Sequence, residues 1–357
     1  MIKSNAILQI NKKNIIYNYK LLSKIAKKSI CAATIKANAY GLGDLEICKI
    51  LYKEGCNHFF LATTEEAINI RKENRNIILY VLNGLEDNNI NLFIKYNLIP
   101  ILNSTKEIIT AVNKKRLNKN LKFGIHVETG LNRLGVNLND FKKNLLKNIN
   151  VEILISHLSS ANELKNNYSR LQNLKFIKSF SEFKDIKYKS LCSSAGIFNN
   201  KNLHHEMVRP GISLYGGYEY ISKIIKTKIK PVIFLKGKIL QIKEIKENEF
   251  IGYNQTYKTN AKIKIAIIGI GYADGISRSL GNNGKLYFKK DIYKIIGRVS
   301  MDSVTVDISM SKYKIKIGQY MDVINNDFTI EQMARKCGTI SNEILTAISK
   351  RVERQYI

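Results

Sequence analysis

Ala32-Ala-Thr-Ile-Lys-Ala-Asn-Ala-Tyr-Gly-Leu-Gly43 is the stretch on which the reading of this chain turns. A short apolar and β-branched run ends on Lys36, small residues with Tyr40 and two glycines follow, and Asp44 opens a helical pattern. The order is strand, lysine, loop, helix. Lys36 is therefore mounted where a buried strand runs out, with small neighbours that leave room beside it. A lone strand-end lysine ordinarily extends its amine to water. The alternative is an amine that forms a Schiff base or acts as a general base, which requires burial or nearby cations to lower its free pKa of about 10.4.

Outward from this stretch the pattern alternates. Strand-like runs fall near residues 30–35, 59–62, 77–82, 99–102, 122–127, 151–157, 189–192 and 207–214, with helical patterns such as 65–73, 106–116 and 164–180 between them. The runs are apolar throughout rather than alternating, as buried parallel strands are. Eight such units predict an α/β fold, a (β/α)8 TIM-like barrel with its chemistry at the C-terminal strand ends. An initial strand at 7–10 precedes a helix capped by Asn11, with Ile15, Ile16, Tyr19, Leu22, Ile25 and Ala26 on one face. After about Tyr220 the runs at 233–245, 263–270, 285–288, 292–299 and 304–308 lack regular helices between them, and helices at 330–336 and 342–349 close the chain. The expected organisation is a barrel over 1–228 and a mostly β C-terminal domain over 229–357.

The length of 357 residues suits a large domain with a smaller one, and 45% hydrophobic with 24% charged residues is a soluble composition. No apolar run reaches the ~18 residues of a membrane span. Met1-Ile-Lys-Ser-Asn lacks an apolar signal core, so a cytoplasmic protein with no membrane partner is expected. Five scattered cysteines without a CxxC pair fit a reducing compartment, and five histidines without an HExxH predict no metal site. The formal charge of +29 raises nucleic-acid binding as a class. The lysines, however, are spread along the whole chain among asparagines and isoleucines, which reads as a general composition bias.

The barrel makes a statement about which polar residues converge. Lys36 ends strand one, the loop Glu128-Thr-Gly-Leu-Asn-Arg133 follows strand five, His157 ends strand six, Ser193 and Ser194 follow strand seven, and Arg209-Pro-Gly-Ile212 lies in strand eight. Loops after the last two barrel strands commonly hold phosphate through backbone N–H groups, hydroxyls and glycines. Singly, His157 reads as a core histidine, Arg209 as a buried structural arginine and Ser193-Ser194 as a turn; their common rim gives them meaning together. The later segment Gly269-x-Gly271-x-x-x-Gly275 misses the spacing of a dinucleotide-binding loop.

Together these residues resemble the alanine racemase family, pyridoxal-phosphate enzymes with an N-terminal barrel and a C-terminal β domain. The resemblance is carried by Lys36-Ala-Asn-Ala-Tyr-Gly41, Thr129-Gly-Leu-Asn-Arg-Leu-Gly135, His157, Ser194-Ala195 and Arg209-Pro-Gly-Ile-Ser-Leu-Tyr-Gly216. It continues in Gly252-Tyr253, Gly271-Tyr-Ala-Asp-Gly275, Gly297-Arg-Val-Ser-Met-Asp302 and Arg351-Val-Glu-Arg-Gln-Tyr356. It implies a racemase interconverting L-alanine and D-alanine and supplying D-alanine for peptidoglycan. Lys36 would carry pyridoxal 5'-phosphate and act as base on one face of the substrate Cα. Tyr253, supplied across a homodimer interface, would be the base on the other. His157, hydrogen-bonded to Arg209, would lend positive field toward Tyr253, and Arg209 would face the pyridine nitrogen. Tyr40, Ser194, Gly211, Ile212 and Tyr356 would cradle the phosphate, and Arg133 would contact the cofactor ring oxygen and the substrate. The Met301 N–H would take the substrate carboxylate, with Tyr272 and Asp302 lining the entrance.

The chain departs from the family pattern at four supporting positions. His126 stands where the family commonly has a lysine, Glu128 where it has aspartate, Leu42 where the lysine motif has histidine, and Ser193 where asparagine precedes the phosphate serine. The resemblance also admits serine or lysine as substrate. The related pyridoxal-phosphate decarboxylase barrel is disfavoured because its glycine-rich phosphate segment is missing here.

Overall fold

The computed structural model describes residues 4–114, 120–137, 149–163, 166–182, 186–218 and 228–357. Arg116, Leu164 and the expected change of character near Tyr220 lie outside the described residues. By its internal contacts the chain divides into two units, one of residues 15–214 and 218–230, the other of residues 1–14, 215–217 and 231–357.

The first unit is the barrel. Its strands are β2 (Ile30–Cys31), β3 (Ala33–Thr34), β4 (His58–Leu61), β5 (Ile78–Val81), β6 (Ile99–Leu102), β7 (Lys122–His126), β8 (Asn150–Ile155), β9 (Tyr188–Ser190) and β10 (Met207–Val208), after a first strand β1 (Ala6–Ile10) that belongs to the other unit. They pair in the order β2-β10-β9-β8-β7-β6-β5-β4-β3, every pairing parallel. Strand one of the expected eight is thus split. β2 pairs with β10 and β3 with β4, while the Ala32 N–H between them donates to the Val208 carbonyl at 2.9 Å. The two halves serve the two neighbours on either side of the seam. A cluster of Ala32, Phe60, Tyr80, Ile99, Ile101, Ile153, Ile155, Tyr188 and Met207 fills this sheet's core.

Helices lie between strands where the pattern asks for them. Thr64–Glu73 begins with a capping box, the Thr63 hydroxyl accepting from the Glu66 N–H at the helix start. The helix Thr105–Asn113 starts with Ser104 as its cap, and Lys12–Ile25 with Asn11, whose side chain accepts from the Asn14 N–H at 3.0 Å.

The second unit is mostly β. A long strand β11 (Ile233–Ile245) is its spine, followed by β12 (Phe250–Ile251), β13 (Tyr257–Lys258), β14 (Ile263–Ile268), β15 (Lys285–Phe288), β16 (Asp291–Lys294), β17 (Val304–Asp307), β18 (Tyr320–Ile324) and β19 (Glu353–Tyr356). β11 is antiparallel to β1, β14 and β18, and β1 runs parallel to β19 on its other side. The first strand, which the sequence reading counted with residues 1–228, therefore belongs by its hydrogen bonds to the sheet of the second unit. Two helices, Ile330–Cys337 and Ser341–Ala347, precede β19.

Candidate active site

Lys36 comes two residues after β3, on a segment whose hand the sequence does not announce. Ala37, Asn38 and Ala39 have φ of 53°, 56° and 50° with ψ of 50°, 47° and 51°, and Tyr40 has φ of 57°. The loop expected here is a turn of left-handed helix. Each L-residue in that conformation costs roughly 1–2 kcal/mol, about 4–8 kcal/mol for four, so surrounding contacts must hold it. The Gly41 N–H donates to the Ala37 carbonyl at 2.9 Å, Gly43 to that of Asn38 at 2.9 Å, and the Asp44 N–H to the Asn38 side chain at 3.0 Å. Ala39 and Tyr40 are buried.

The surroundings of Lys36 favour its neutral amine. Its pKa is lowered first by burial and then by the Arg133 and Arg209 guanidinium groups, with Glu66 opposing. Arg209 is itself buried, its pKa brought down to about 10 by burial. Its Nε donates to the Ser190 hydroxyl at 2.9 Å and its Nη2 to the Ser156 carbonyl, and the guanidinium lies 5.6 Å from the Phe60 ring. The expected hydrogen bond between Arg209 and His157 is not among these: strand ends β8 and β9 supply the acceptors instead. His157 is held neutral, its pKa well below 6.5 through burial and through Arg209, Arg133 and Lys36. The positive field at this rim comes from the guanidinium groups and not from a charged imidazole.

His126, at the end of β7, is buried with its pKa lowered to about 4 by burial, with Arg209 adding to the effect. Its partner is Asn103, just past β6. The Asn103 Nδ2 donates to the Leu82 and Ile101 carbonyls, both at 2.9 Å, and this turns Oδ1 toward His126 Nδ1 at 3.0 Å. An amide oxygen only accepts, so the imidazole carries its proton on Nδ1 and keeps a lone pair on Nε2. Arg133, exposed in the loop after β7, lies close enough to act on Lys36, His126 and His157. The loop is shaped by Glu128, whose carboxylate accepts from the N–H groups of Gly130 and Asn132.

Ser194, Gly211 and Tyr40 form a cradle. The Ser194 hydroxyl accepts from the Gly211 N–H at 3.0 Å and the Ser213 N–H at 3.2 Å, tying the loop after β9 to the one after β10. Tyr40 lies directly over Gly211, where an added Cβ would collide with the tyrosine hydroxyl. Burial pushes the Tyr40 phenol up to about 12, so it stays a neutral donor. Ile212 is half-buried at the start of the 3-10 turn Ile212–Tyr215. The barrel unit thus gathers Lys36, Tyr40, Arg133, His157, Ser194, Arg209, Gly211 and Ile212 at one rim. The donor set is rich in cations and hydroxyls, and Arg209 Nη1 makes no hydrogen bond among the described residues. That suits a ligand with an anionic end and a ring acceptor.

The remaining expected residues belong to the second unit. Tyr253 sits at the tip of the β12–β13 hairpin, after Gly252 with φ of 78°, and is 68% exposed. Tyr272, Met301 and Asp302 are brought together. The N–H groups of Tyr272 and Ala273 donate to the Ser300 and Met301 carbonyls, both at 3.0 Å, and Gly271 packs against those carbonyls where no side chain fits. Arg351 clamps the same corner, donating to both oxygens of buried Asp274 at 2.6 and 3.0 Å and to Asp302 at 2.6 Å. The Met301 N–H makes no hydrogen bond among the described residues. Tyr356 lies on β19 opposite Ile10 of β1.

Asn103 and Ser190 support this site without having been singled out from sequence. Asn103 and Ser190 share a signal that could have found them, a polar residue at or just past the C-terminal end of an apolar barrel strand.

Known proteins match this chain along nearly its whole length. The families "Alanine racemase, N-terminal domain" and "Alanine racemase, C-terminal domain" match residues 10–219 and 232–356. An alanine racemase of Rickettsia canadensis is 38% identical, with 98% of each chain covered. Alanine racemase from Bartonella henselae, solved with covalently bound pyridoxal phosphate, is 31% identical with a TM-score of 0.94, covering 99% of this chain and all of its own. Alanine racemase of Clostridium difficile is 28% identical with a TM-score of 0.91, over 100% of this chain and 97% of its own. This chain belongs to the alanine racemase family.

Proposed function

We propose that the chain interconverts L-alanine and D-alanine with pyridoxal 5'-phosphate held on Lys36, as a cytoplasmic homodimer that supplies D-alanine for peptidoglycan. The observation that carries this reading is Lys36 on its left-handed turn, its amine pKa lowered by burial and two guanidinium groups, at the rim that also holds Arg209 and the Ser194–Gly211–Tyr40 cradle. The Bartonella relative carries its pyridoxal phosphate covalently, which fits a lysine so placed.

Bound pyridoxal phosphate supplies an electron sink that makes the Cα–H of an attached amino acid acidic. Racemisation then needs a base on each face of a planar carbon. Lys36 Nζ takes or returns the proton on one face, and its lowered pKa keeps part of it in the neutral, accepting form. Tyr253 of the partner subunit serves the other face, in keeping with its exposure at a hairpin tip. Arg209 is a fixed cation that can only donate, so a cofactor ring nitrogen held against it would stay unprotonated. Tyr40, Ser194, Gly211, Ile212 and Tyr356 hold the phosphate. Arg133 would contact the cofactor ring oxygen and the substrate, and the Met301 N–H would take the substrate carboxylate, with Tyr272 and Asp302 lining the entrance. The barrel portion carries the cofactor, and the C-terminal portion contributes the second base and the entrance.

Chiral chromatography of the purified protein with L-alanine and pyridoxal phosphate, beside Lys36→Ala, tests this reading. D-alanine is expected from the parent alone. A folded Lys36→Ala protein that racemises at the parent's rate would remove Lys36 from its role, and a cofactor-loaded parent that makes no D-alanine would transfer the proposal to another amino acid.

A further inference from the structure

The left-handed turn that mounts Lys36 is held from outside by one carboxylate. Glu66 belongs to the capping box of the helix Thr64–Glu73, yet it reaches further than a cap requires. Its Oε1 accepts from the Ala37 N–H at 2.7 Å, the first amide of the left-handed turn. Its Oε2 accepts from the Ala62 N–H at 2.8 Å and the Thr63 N–H at 3.4 Å, at the corner between β4 and the helix. Three N–H donors therefore converge on two oxygens of one side chain. Those donors come from two places 25 or more residues apart in sequence, and β3 and β4 are neighbours in the barrel. The Glu66 charge also acts on Lys36, against burial, Arg133 and Arg209.

We propose that Glu66 is a positioning residue for Lys36, pinning the strained left-handed turn to the β4 corner so that the amine is presented in a fixed direction. The proposal rests on Lys36 being the cofactor lysine. An ordinary capping glutamate needs only to reach back to its own helix start. Here the same carboxylate spends one oxygen entirely on the turn that carries the lysine. The chemistry of the site also requires a carboxylate and not an amide. All three partners are donors, and glutamine offers one acceptor oxygen while turning an NH2 group toward the remaining N–H groups. Aspartate is one methylene shorter and cannot span both places.

Two measurements on the full-length protein test this, with Glu66→Gln as the main variant and Glu66→Ala as the second should the first be poorly folded. The first is hydrogen–deuterium exchange of the segment spanning Lys36 to Gly43 in cofactor-free protein, a readout independent of catalysis. We expect exchange there to rise at least tenfold in Glu66→Gln, about 1.4 kcal/mol of lost protection, with the other barrel strands unchanged. The second is exchange of the Cα hydrogen with solvent deuterium, measured separately from each alanine enantiomer in cofactor-loaded enzyme. Exchange from D-alanine, which the Tyr253 assignment leaves to Lys36, should slow at least tenfold in Glu66→Gln, and exchange from L-alanine by less than threefold. Unchanged protection of the turn, or an equal slowing for both enantiomers, would overturn the role of Glu66. A parent that exchanges neither enantiomer would instead overturn alanine as the substrate, whatever the turn's protection shows.

Discussion

At the scale of single residues, the site depends on groups held in one protonation state. His126 is the clearest case, because its tautomer follows from hydrogen-bond bookkeeping around Asn103. Asn103→Leu removes the acceptor for His126 Nδ1–H and takes a donor from one buried and one partly buried carbonyl. Each such loss costs about 1–3 kcal/mol, so the variant should lose at least ~2 kcal/mol of stability in urea unfolding at pH 7.5, and unchanged stability would disprove the lock. Where the family commonly has a lysine, this chain has a neutral imidazole whose Nδ1–H is held by Asn103. Tyr253 poses the complementary question on the other face. Tyr253→Phe keeps the ring and removes the proton-carrying oxygen, so abstraction from L-alanine should fall by more than a hundredfold while exchange from D-alanine stays within about tenfold of the parent. Near-normal exchange from both enantiomers would refute the two-base scheme.

At the scale of elements, most of the barrel was legible because buried parallel strands write themselves as continuous apolar runs. The run at 99–102 and the strand β6 coincide, and 59–62 and 77–82 overlap β4 and β5 within a residue or two. Two things were not legible. The handedness of Ala37–Tyr40 leaves no mark in sequence, since alanine and tyrosine ordinarily avoid positive φ and only the packing around them enforces it. The position of β1 between β11 and β19 depends on pairing across more than two hundred residues, for which no local pattern exists. The rim residues were readable as a list, whereas their bonds were not: Arg209 reaches Ser190 and Ser156 rather than His157. Glycine at 211 is an element-level device of the same kind. It permits the turn after β10 to lie under the Tyr40 hydroxyl, so Gly211→Ala must push Tyr40 away or shift the turn. We expect the dissociation constant for pyridoxal phosphate, titrated by its visible absorbance, to rise at least tenfold with little change in thermal stability. A variant that binds the cofactor as tightly as the parent would show that Tyr40 takes no part in the cradle.

At the scale of the whole molecule, a chain with a formal charge of +29 gains still more positive charge in acid, and its buried neutral histidines resist protonation in the fold. His58 is the one furthest in role from the chemistry. It is buried at the start of β4, its Nδ1 3.0 Å from the Tyr80 hydroxyl, its ring parallel to Tyr80 with centroids 5.9 Å apart and edge-on to Tyr188 at 5.5 Å. Burial brings its pKa from 6.5 down to about 4, with Lys187 and Lys122 adding to the effect and Glu152 opposing it. Between those two values the unfolded chain binds a proton that the folded chain refuses, so stability is fully present above about pH 6.5 and is lost as the pH falls toward 4. For His58 alone the loss between pH 7 and pH 5 comes to about 2 kcal/mol. General charge repulsion acts in the same direction, but 1 M salt shortens its range to about 3 Å and leaves the penalty for protonating a buried ring in place. Glutamine at this position keeps an amide able to bond the Tyr80 hydroxyl and does not titrate. In 1 M salt, His58→Gln should therefore lose about 2 kcal/mol less than the parent between pH 7 and pH 5 in urea unfolding. Equal losses in the two proteins would mean that His58 accepts its proton in the folded barrel, and that the acid sensitivity of the fold arises elsewhere.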